Sequence, residues 1–459
     1  MMHLVPSMGE AWQRLPWFIC PMSVFAGLFC WVLPDLSMWG ADAKPTGSKD
    51  PKLPSLIWMA PFMSGGGYSS EAISYVLGLE EEYRGKLSKL GLRQFAEHAD
   101  GEFVQGVPAS IRNILQTLYR QGIEKKKWGV AVCHATPDTW HKDGAFGWGA
   151  TSPCPPPGAK YSVGRTMYET DRLPVGWVRR INQMDEVWVP SEFALDQFEF
   201  SGVNPLKIKV VPEAVDTDFF DPDKYSPMKL PGKIKVEDFR FLSVFKWEKR
   251  KGWDVLLQAY FEEFTAKSPV ILILKTKAFH DSNDFQNRVD KFVDGLKSAR
   301  HPPARYKIID KDLPLEELPR LYRAAHALVQ PSRGEGWGRP HVEAMSMGLP
   351  VIATNWSGST EFLTDQTALP LRFDGVKDVP EGLAPKGEGH RWAEPSVAHL
   401  RELMRWCVEH REEAAEIGVR GRKDMEQRFS PQAVLKEHVL PQLHRIKGVA
   451  KALQNTEEL

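Results

Sequence analysis

Cysteine is scarce in this sequence, and its cysteines are scattered. The 459 residues include five: Cys20 and Cys30 lie in an apolar N-terminal run, and Cys133, Cys154 and Cys407 follow far apart. The sequence has no Cys-x-x-Cys pair and no cluster of cysteine with histidine, the spacings typical of disulfide-rich modules and zinc sites. We therefore expect neither a disulfide framework nor a zinc site.

The sequence also lacks an excess of either charge. Lys and Arg together number 59, Asp and Glu together number 59, and the formal net charge is zero. Domains that bind nucleic acid normally carry a basic excess on one face. Nucleic acid is therefore not expected as the main partner.

Long apolar runs are absent except for one near the N-terminus, Trp17–Leu33. It is uncharged, but it is short for a spanning helix of about 20 residues, and Pro21 interrupts it. Three interpretations stay open: a signal anchor, a cleaved signal peptide with Ala41-Asp42-Ala43 as its small-x-small site, or an apolar surface helix. We favour membrane targeting in the secretory pathway (ER or Golgi), with a cytoplasmic location as the alternative.

Strand-like and helix-like segments alternate along the rest of the chain. Such alternation predicts α/β architecture with doubly wound parallel sheets. A proline-rich stretch from Asp216 to Glu237 interrupts the pattern and is interpreted as a linker. We predict an N-terminal apolar segment and linker over 1–54, a first Rossmann-like domain over 55–215, a second over 238–430 and a terminal amphipathic helix over 431–459.

The most informative stretch is Gln330 to Glu361, which predicts a loop, a helix, a turn and a parallel strand. Gly336 and Gly338 flank Trp337, and Pro340 suits the first helical turn, where its missing N–H would have no partner. The free N–H groups of this loop and of the first turn form an array that attracts an anion, most naturally a phosphate.

Two carboxylates bracket that loop, Glu335 and Glu343, with seven residues between them. An ionised glutamate only accepts hydrogen bonds, and the hydroxyl groups of a sugar or ribose can donate them. Anion donors flanked by hydroxyl acceptors suggest a nucleotide-sugar site.

Further candidates follow other predicted strands, where open α/β sheets keep their sites. Gly66 and Gly67 form a turn after the first strand that does not match the dinucleotide pattern Gly-x-Gly-x-x-Gly. His134 follows a buried strand. Lys246 and Lys251 lie in the loop after the first strand of the second domain, where two cations could neutralise a diphosphate; Lys249 and Arg250 blur that assignment by one or two positions.

Charged residues also follow a short strand near Arg165. Glu169, Asp171 and Arg172 could face an acceptor or form a salt-bridged loop, and we prefer the second interpretation.

The stretch from Glu335 through GWGRPHV to Glu343, followed by AMSMGLPVIATNWSG and Glu361, resembles the E-x7-E signature of the retaining, GT-B-fold glycosyltransferases of family 4, often called group 1. The resemblance extends from about Leu56 to Phe429. It implies two facing Rossmann-like domains, an acceptor domain over 55–215 and a donor-binding domain over 238–430, with the terminal helix crossing back to the first domain. It also implies hexosyl transfer from a nucleoside-diphosphate sugar to an unknown acceptor (glycan, lipid or protein) with retention, without a tightly bound cofactor or a tightly required metal.

The resemblance also implies roles for the candidate residues. Glu335 would hold the sugar hydroxyls, Glu343 the ribose, and His134 would orient the sugar from the other domain. Fixed cations and N–H donors would bind the diphosphate, and the family usually has arginine where Lys246 stands. The implied donor-binding residues are Gly66, Gly67, Lys246, Lys251, Gly336, Trp337, Gly338, Arg339 and Glu343, and His134, Glu335 and Lys251 are the catalytic candidates.

Three alternatives stay open at this point: a GT-B enzyme of another class such as a nucleotide-sugar epimerase, a non-catalytic relative that only binds nucleotide sugar, and a membrane-attached scaffold. The sequence specifies neither the sugar, nor the base, nor the acceptor.

Overall fold

The computed structural model describes residues 53–84, 89–125, 127–141, 152–232, 234–278 and 284–457. The predicted targeting segment Trp17–Leu33 and the predicted cleavage site Ala41-Asp42-Ala43 lie outside these ranges. Within them, none of the helices combines the length and apolar character needed to cross a bilayer.

Six parallel strands form the first sheet, in the order β2-β1-β3-β4-β5-β6. They are β1 (Leu56–Ala60), β2 (Leu90–Gln94), β3 (Val130–His134), β4 (Tyr161–Arg165), β5 (Glu186–Val189) and β6 (Ile208–Val210). β1 and β3 are buried along their whole length, as expected of central strands covered on both faces. The strand order reverses between β1 and β3, so their carboxyl ends flank the position where such sheets bind ligands.

A second parallel sheet follows, in the order β12-β11-β10-β7-β8-β9. Its strands are β7 (Phe239–Lys246), β8 (Val270–Lys277), β9 (Tyr306–Ile309), β10 (Ala327–Gln330), β11 (Val351–Thr354) and β12 (Leu369–Leu371). The order reverses between β7 and β10. The prediction of an α/β fold with two Rossmann-like domains is confirmed.

Helices cover the faces of both sheets. The first set is α1 (Gly67–Glu82), α2 (Gly101–Gly106), α3 (Ala109–Glu124), α4 (Val175–Asn182) and α5 (Glu192–Phe200). The second set is α6 (Trp253–Glu263), α7 (Phe285–Gly295), α8 (Glu317–Arg323), α9 (Arg339–Ser346), α10 (Val397–Glu409) and α11 (Arg411–Asp424).

The chain then returns to the first domain, as expected. After α11, a π-helical turn leads to α12 (Pro431–Val434), a second such turn and α13 (Leu440–Glu457). Leu443 and Ile446 are fully buried in the same hydrophobic cluster as Leu79 and Trp188 of the first domain. Arg445 adds an ion pair with Glu186. The terminal helices therefore tie the end of the chain to the first sheet by burial of apolar side chains.

Two features have no counterpart in the strands predicted from the sequence: β2, and the strands in the segment from Asp374 to Pro395, which is rich in glycine and proline. That segment contains an antiparallel pair, β13 (Phe373–Asp378) and β14 (Arg391–Pro395). Its solvent-facing strand β13 is polar and mostly exposed, which leaves no apolar periodicity to read.

The sequence predicts no disulfide framework, and the described residues nevertheless contain one disulfide bond. Cys133, in β3, is bonded to Cys154, which precedes β4, and 21 positions separate them in the sequence. β3 and β4 are neighbours in the sheet, so the fold brings together two cysteines whose spacing matches no short motif.

Candidate active site

The candidate site lies where the second sheet reverses its strand order, between β7 and β10. Lys251 precedes Gly252, whose φ of +66° is left-handed. A Cβ atom at Gly252 would lie 1.9 Å from the carbonyl oxygen of Pro331. Glycine is therefore required both for its conformation and for space. This close approach holds the loop after β7 against the loop after β10.

Glu335 and Lys251 form a partly buried ion pair in that contact. Lys251 Nζ lies 2.6 Å from Oε1 and 2.8 Å from Oε2 of Glu335. Ser332 Oγ donates to Oε1 at 2.7 Å, and Arg250 Nη1 donates to Oε2 at 3.0 Å. Burial raises the pKa of Glu335, but the charges of Lys251 and Arg250 outweigh it and hold that pKa well below its usual range. Glu335 is therefore ionised, with donors on both carboxylate oxygens.

Arg250 is a second cation of this site, which the sequence left ambiguous among three consecutive basic residues. Besides Glu335, its Nη1 donates to the Gly334 carbonyl at 2.8 Å, and its Nη2 lies 2.9 Å from Glu248 and 3.5 Å from Glu169. Burial opposes its charge, but the surrounding carboxylates hold the pKa of Arg250 above its ordinary value. The run of basic residues after a strand was the available signal, but only the fold separates its members.

The other lysines of this loop differ in where they point. Lys249 Nζ pairs with Asp254 at 2.5 Å. Lys246 is exposed at the end of β7, in register with Lys277 at the end of β8. Lys246 thus lies on the carboxyl edge of the sheet, and its contact with a diphosphate stays a prediction.

Glycines allow the loop after β10 to pack against the first domain. A Cβ atom at Gly334 would lie 1.9 Å from the carbonyl oxygen of Glu169, and one at Gly336 would lie 2.4 Å from Met167 Cγ. Gly338 has φ +118° and precedes α9, with Pro340 in the first turn of that helix, as predicted. The loop predicted to meet a phosphate therefore contacts the segment 167–169 in this structure.

The side chain of Trp337 belongs to the core. Its ring is 2% exposed and lies 5.1 Å from Phe362 and 5.4 Å from Phe429, measured between ring centroids. This anchors the glycine loop to the second domain. A contact between Trp337 and a donor stays a prediction, and it would use the backbone N–H group.

Glu343 lies on the buried side of α9. Tyr322 Oη donates to its Oε2 at 2.9 Å, and Arg339 Nε lies 3.8 Å from its Oε1. Burial raises the pKa of Glu343, and Arg339 and Tyr322 oppose that rise. One carboxylate oxygen of Glu343 thus accepts a hydrogen bond from the Tyr322 phenol. The contact of Glu343 with a ribose stays a prediction.

Arg339 connects the two domains. Its Nη2 donates to Ser70 Oγ at 2.9 Å, and its Nη1 donates to the Ala214 carbonyl at 2.5 Å and lies 3.7 Å from Glu213 Oε2. Ser70 is in the first turn of α1, so the motif helix α9 meets the glycine turn of the first domain there. Burial, with neighbouring Glu71, raises the pKa of Glu213 well above its usual range despite Arg339.

Gly66 directly precedes α1, and Gly67 is its first residue. A Cβ atom at Gly67 would meet nothing within 4 Å, and one at Gly66 would lie 3.6 Å from Glu97 Oε2. Neither space nor a left-handed φ demands glycine at these positions in the structure. Their predicted approach to a donor diphosphate stays a prediction.

His134 ends β3 and is fully buried. Trp58 Nε1 donates to its Nδ1 at 3.1 Å, and its Nε2 lies 2.9 Å from Glu71 Oε2. Since an indole can only donate, Nδ1 is the acceptor and Nε2 carries the proton, which makes the ring neutral. Both ring nitrogens are therefore engaged within the first domain, and a contact between His134 and a sugar stays a prediction.

Glu71 links His134 to Arg165. Neither Glu71 nor Arg165 was among the site residues predicted from the sequence. Arg165 Nε donates to Glu71 Oε1 at 2.6 Å, and its Nη1 donates to the Val211 carbonyl at 2.6 Å. Burial raises the pKa of Glu71, but Arg165 and His134 lower it to about 2 overall. A glutamate in the first turns of a helix gives no sequence signal that it will meet an arginine 94 positions away.

The preferred interpretation of the loop after β4 agrees with the structure for two of its three charged residues. Asp171 pairs with Arg172 at 2.8 Å and accepts from the backbone N–H of Arg391 at 2.8 Å. Glu169 differs, because its carboxylate points to Arg250 across the interdomain contact.

Among the residues described, no group of three His, Cys, Asp or Glu side chains is arranged to hold a metal ion. The prediction that no metal is tightly required stays untested.

Comparison with known proteins supports the sequence resemblance in part. Residues 238–384, which include the Glu335–Lys251 pair, match the family model for glycosyl transferases group 1. An uncharacterised 41.2 kDa protein in the cps region of Klebsiella pneumoniae is 27% identical over 201 residues, covering 43% of this chain and 50% of that protein. A GDP-mannose-dependent alpha-(1-6)-phosphatidylinositol monomannoside mannosyltransferase of Mycolicibacterium smegmatis is 25% identical over 219 residues, covering 44% and 55%. The chain thus spans about half the length of these curated relatives.

Solved structures match over more of the chain. HepE from Anabaena, in complex with UDP and glucose, has 14% sequence identity and a TM-score of 0.56, covering 87% of this chain and 99% of that one. A glycosyltransferase from Rickettsia africae has 16% identity and a TM-score of 0.52, covering 85% and 98%. The chain therefore has the GT-B fold of glycosyltransferases, and its second domain carries the group 1 match.

Proposed function

We propose that the protein is a retaining glycosyltransferase of family 4 that moves a hexose from a nucleoside-diphosphate sugar to an acceptor. The observation that carries this proposal is the ion pair of Glu335 with Lys251 and Arg250, placed where the second sheet reverses its strand order. HepE, a structural neighbour, binds UDP and glucose, which supports a nucleotide sugar as donor.

The diphosphate would take the place of the carboxylates around Lys251 and Arg250. Both cations are paired with carboxylates in the structure, and Glu335 forms an ion pair with each of them. In the transfer, the bond from the anomeric carbon to the diphosphate oxygen breaks, and a bond to the acceptor oxygen forms as its hydroxyl loses a proton. Negative charge grows on the departing diphosphate, so fixed cations at that position stabilise the transition state most.

Glu335 would then be free to accept hydrogen bonds from the sugar hydroxyls. Glu343 would hold the ribose, with Tyr322 fixing one of its oxygens, and Gly66, Gly67 and Lys246 would line the diphosphate. His134, held by Trp58 and Glu71, would orient the sugar once the domains close on it. We assign no nucleophile and no required metal.

Trp17–Leu33 would attach the protein to a membrane of the secretory pathway. We expect cell fractionation to recover the protein with membranes, and a wholly soluble pool would exclude an anchor.

A panel of nucleotide sugars tests the proposed donor. Binding to the folded state raises the unfolding temperature, so at least one nucleoside-diphosphate sugar should do so at millimolar concentration. Glu343→Ala should weaken that binding about tenfold or more, because it removes the proposed ribose acceptor, while Glu402→Ala, at an exposed position on α10, should not. Product analysis with and without acceptor then separates transfer from epimerisation or simple binding. The donor proposal fails if no nucleotide sugar shifts the transition.

Lys251→Ala should reduce kcat by about 100-fold or more, with a smaller change in KM, because the charge it stabilises is larger in the transition state than in the bound donor. Steady-state kinetics with the donor found above would measure both constants. Lys249→Ala is the matched control, since Lys249 pairs with Asp254. A change in KM alone would contradict the role given to Lys251.

Glu169→Gln should strengthen the binding of a nucleoside diphosphate. Glu169 is about one-third exposed and lies 3.5 Å from Arg250, so it competes with a diphosphate for that cation. Ion pairs of this exposure are worth about 0.2–1 kcal/mol, which corresponds to a gain in affinity of up to about fivefold. Titration calorimetry would measure it, with Glu199→Gln on the exposed side of α5 as control. Weaker binding would show instead that Glu169 helps to hold the ligand.

A further inference from the structure

A second cavity lies in the first domain, apart from the Glu335–Lys251 site. Its volume is about 890 Å³. It is bordered by α4 and by the residues that follow β3. It therefore opens near the carboxyl edge of the first sheet, where open α/β sheets bind their ligands.

One face of α4 lines this cavity. Gly176, Arg179, Arg180 and Gln183 line the cavity at spacings of three, four and seven from Gly176, which places them on one helical face. Val175 and Met184 line it as well. A face that packed into a core would be apolar. This face instead presents two guanidinium groups, and the buried residue of the helix is Ile181, on another face.

The charged side chains described around the cavity are basic. His141 completes the basic groups, and no acidic side chain is among the described residues that line it. The Nε2 of His141 lies 2.7 Å from the Asp138 carbonyl, and since a carbonyl only accepts, that nitrogen carries a proton. Arg180 makes one bond of 3.3 Å to the Pro137 carbonyl, which leaves most of its five donors available.

Trp140 forms an aromatic wall of the cavity. It lines the cavity and is 4% exposed. Its ring packs against β4, because a Cβ atom at Gly164 would lie 2.4 Å from its Cη2.

The wall of the cavity is covalently fixed. Cys154 lines it and is bonded to Cys133 of β3. At its other side, the backbone N–H of Val175 donates to Glu388 of the second domain at 3.0 Å, which places the cavity beside the interdomain contact.

We propose that this cavity is the acceptor subsite and that it binds an anionic group of the acceptor, a phosphate or carboxylate attached to a sugar or polyol. Arg179 and Arg180 recognise the anion through charge-assisted hydrogen bonds, and Trp140 gives the sugar or polyol an aromatic wall. The assignment rests on the proposed function, since it gives that reaction its class of acceptor.

The test measures binding of a hexose phosphate, a hexuronate and the free hexose to the full chain by calorimetry, without nucleotide. We expect at least one of the two anionic sugars to bind at least tenfold more tightly than the free hexose. The double variant R179Q and R180Q should weaken that binding at least tenfold. The matched control, R112Q and R120Q on α3, removes two positive charges away from the cavity and should leave it unchanged.

A second variant tests the cavity without changing its charge. A Cβ atom at Gly176 would meet nothing within 4 Å, so Gly176→Leu should fold and should weaken binding by filling the opening. Unfolding temperatures of all variants check the fold.

The remaining outcomes overturn the assignment. Equal loss in both arginine double variants would mean a general effect of charge, and loss in Lys251→Ala would place the anion at the donor site instead. Failure of every anionic sugar to bind would also reject it. A protein that binds an anionic sugar in this way but no nucleotide sugar would instead refute the proposed reaction while keeping the anion site.

Discussion

Neutralisation of two partly buried cations, Lys251 and Arg250, is the constraint on which the candidate site depends. Lys251 and Arg250 are held between two loops and largely removed from water, where an unpaired charge is costly. Glu335 lies between them and neutralises both in part. Under the proposed function, a diphosphate would have to compete with Glu335 for these two cations. Donor binding would then be an exchange of one anion for another, and the affinity would depend on how readily the carboxylates are displaced.

Glycine makes this arrangement possible through close backbone approach. Gly252 lets the loop after β7 touch the carbonyl of Pro331, and Gly334 lets the loop after β10 touch the carbonyl of Glu169. The first contact is within the second domain and places Lys251 beside Glu335. The second is between domains and brings Glu169 to Arg250. A larger side chain at either glycine would separate the charges that the site needs together.

Local chemistry explains which features could be predicted from the sequence. Pro340 at a helix start, buried strands such as β3 and β10, and the loop with two glycines all follow from short-range rules. The pairing of Glu71 with Arg165, the bond between Cys133 and Cys154, and the choice of Arg250 over Lys249 depend on which strands become neighbours. Residues far apart in sequence meet only after the strand order is set, and no local pattern encodes that order.

The β13–β14 pair adds a constraint on how the cleft can open. Thr170 Oγ1 lies 2.8 Å from His390 Nδ1, Asp171 pairs with the backbone of Arg391, and Val175 N–H donates to Glu388. These contacts tie residues 170–175 of the first domain to the second. Residues 167–169 contact the glycine loop and Val175 borders the basic cavity, so the tied segment connects the two candidate binding sites. An opening that separates the domains must therefore either break three polar contacts or carry this segment with the second domain, and either change alters both sites together.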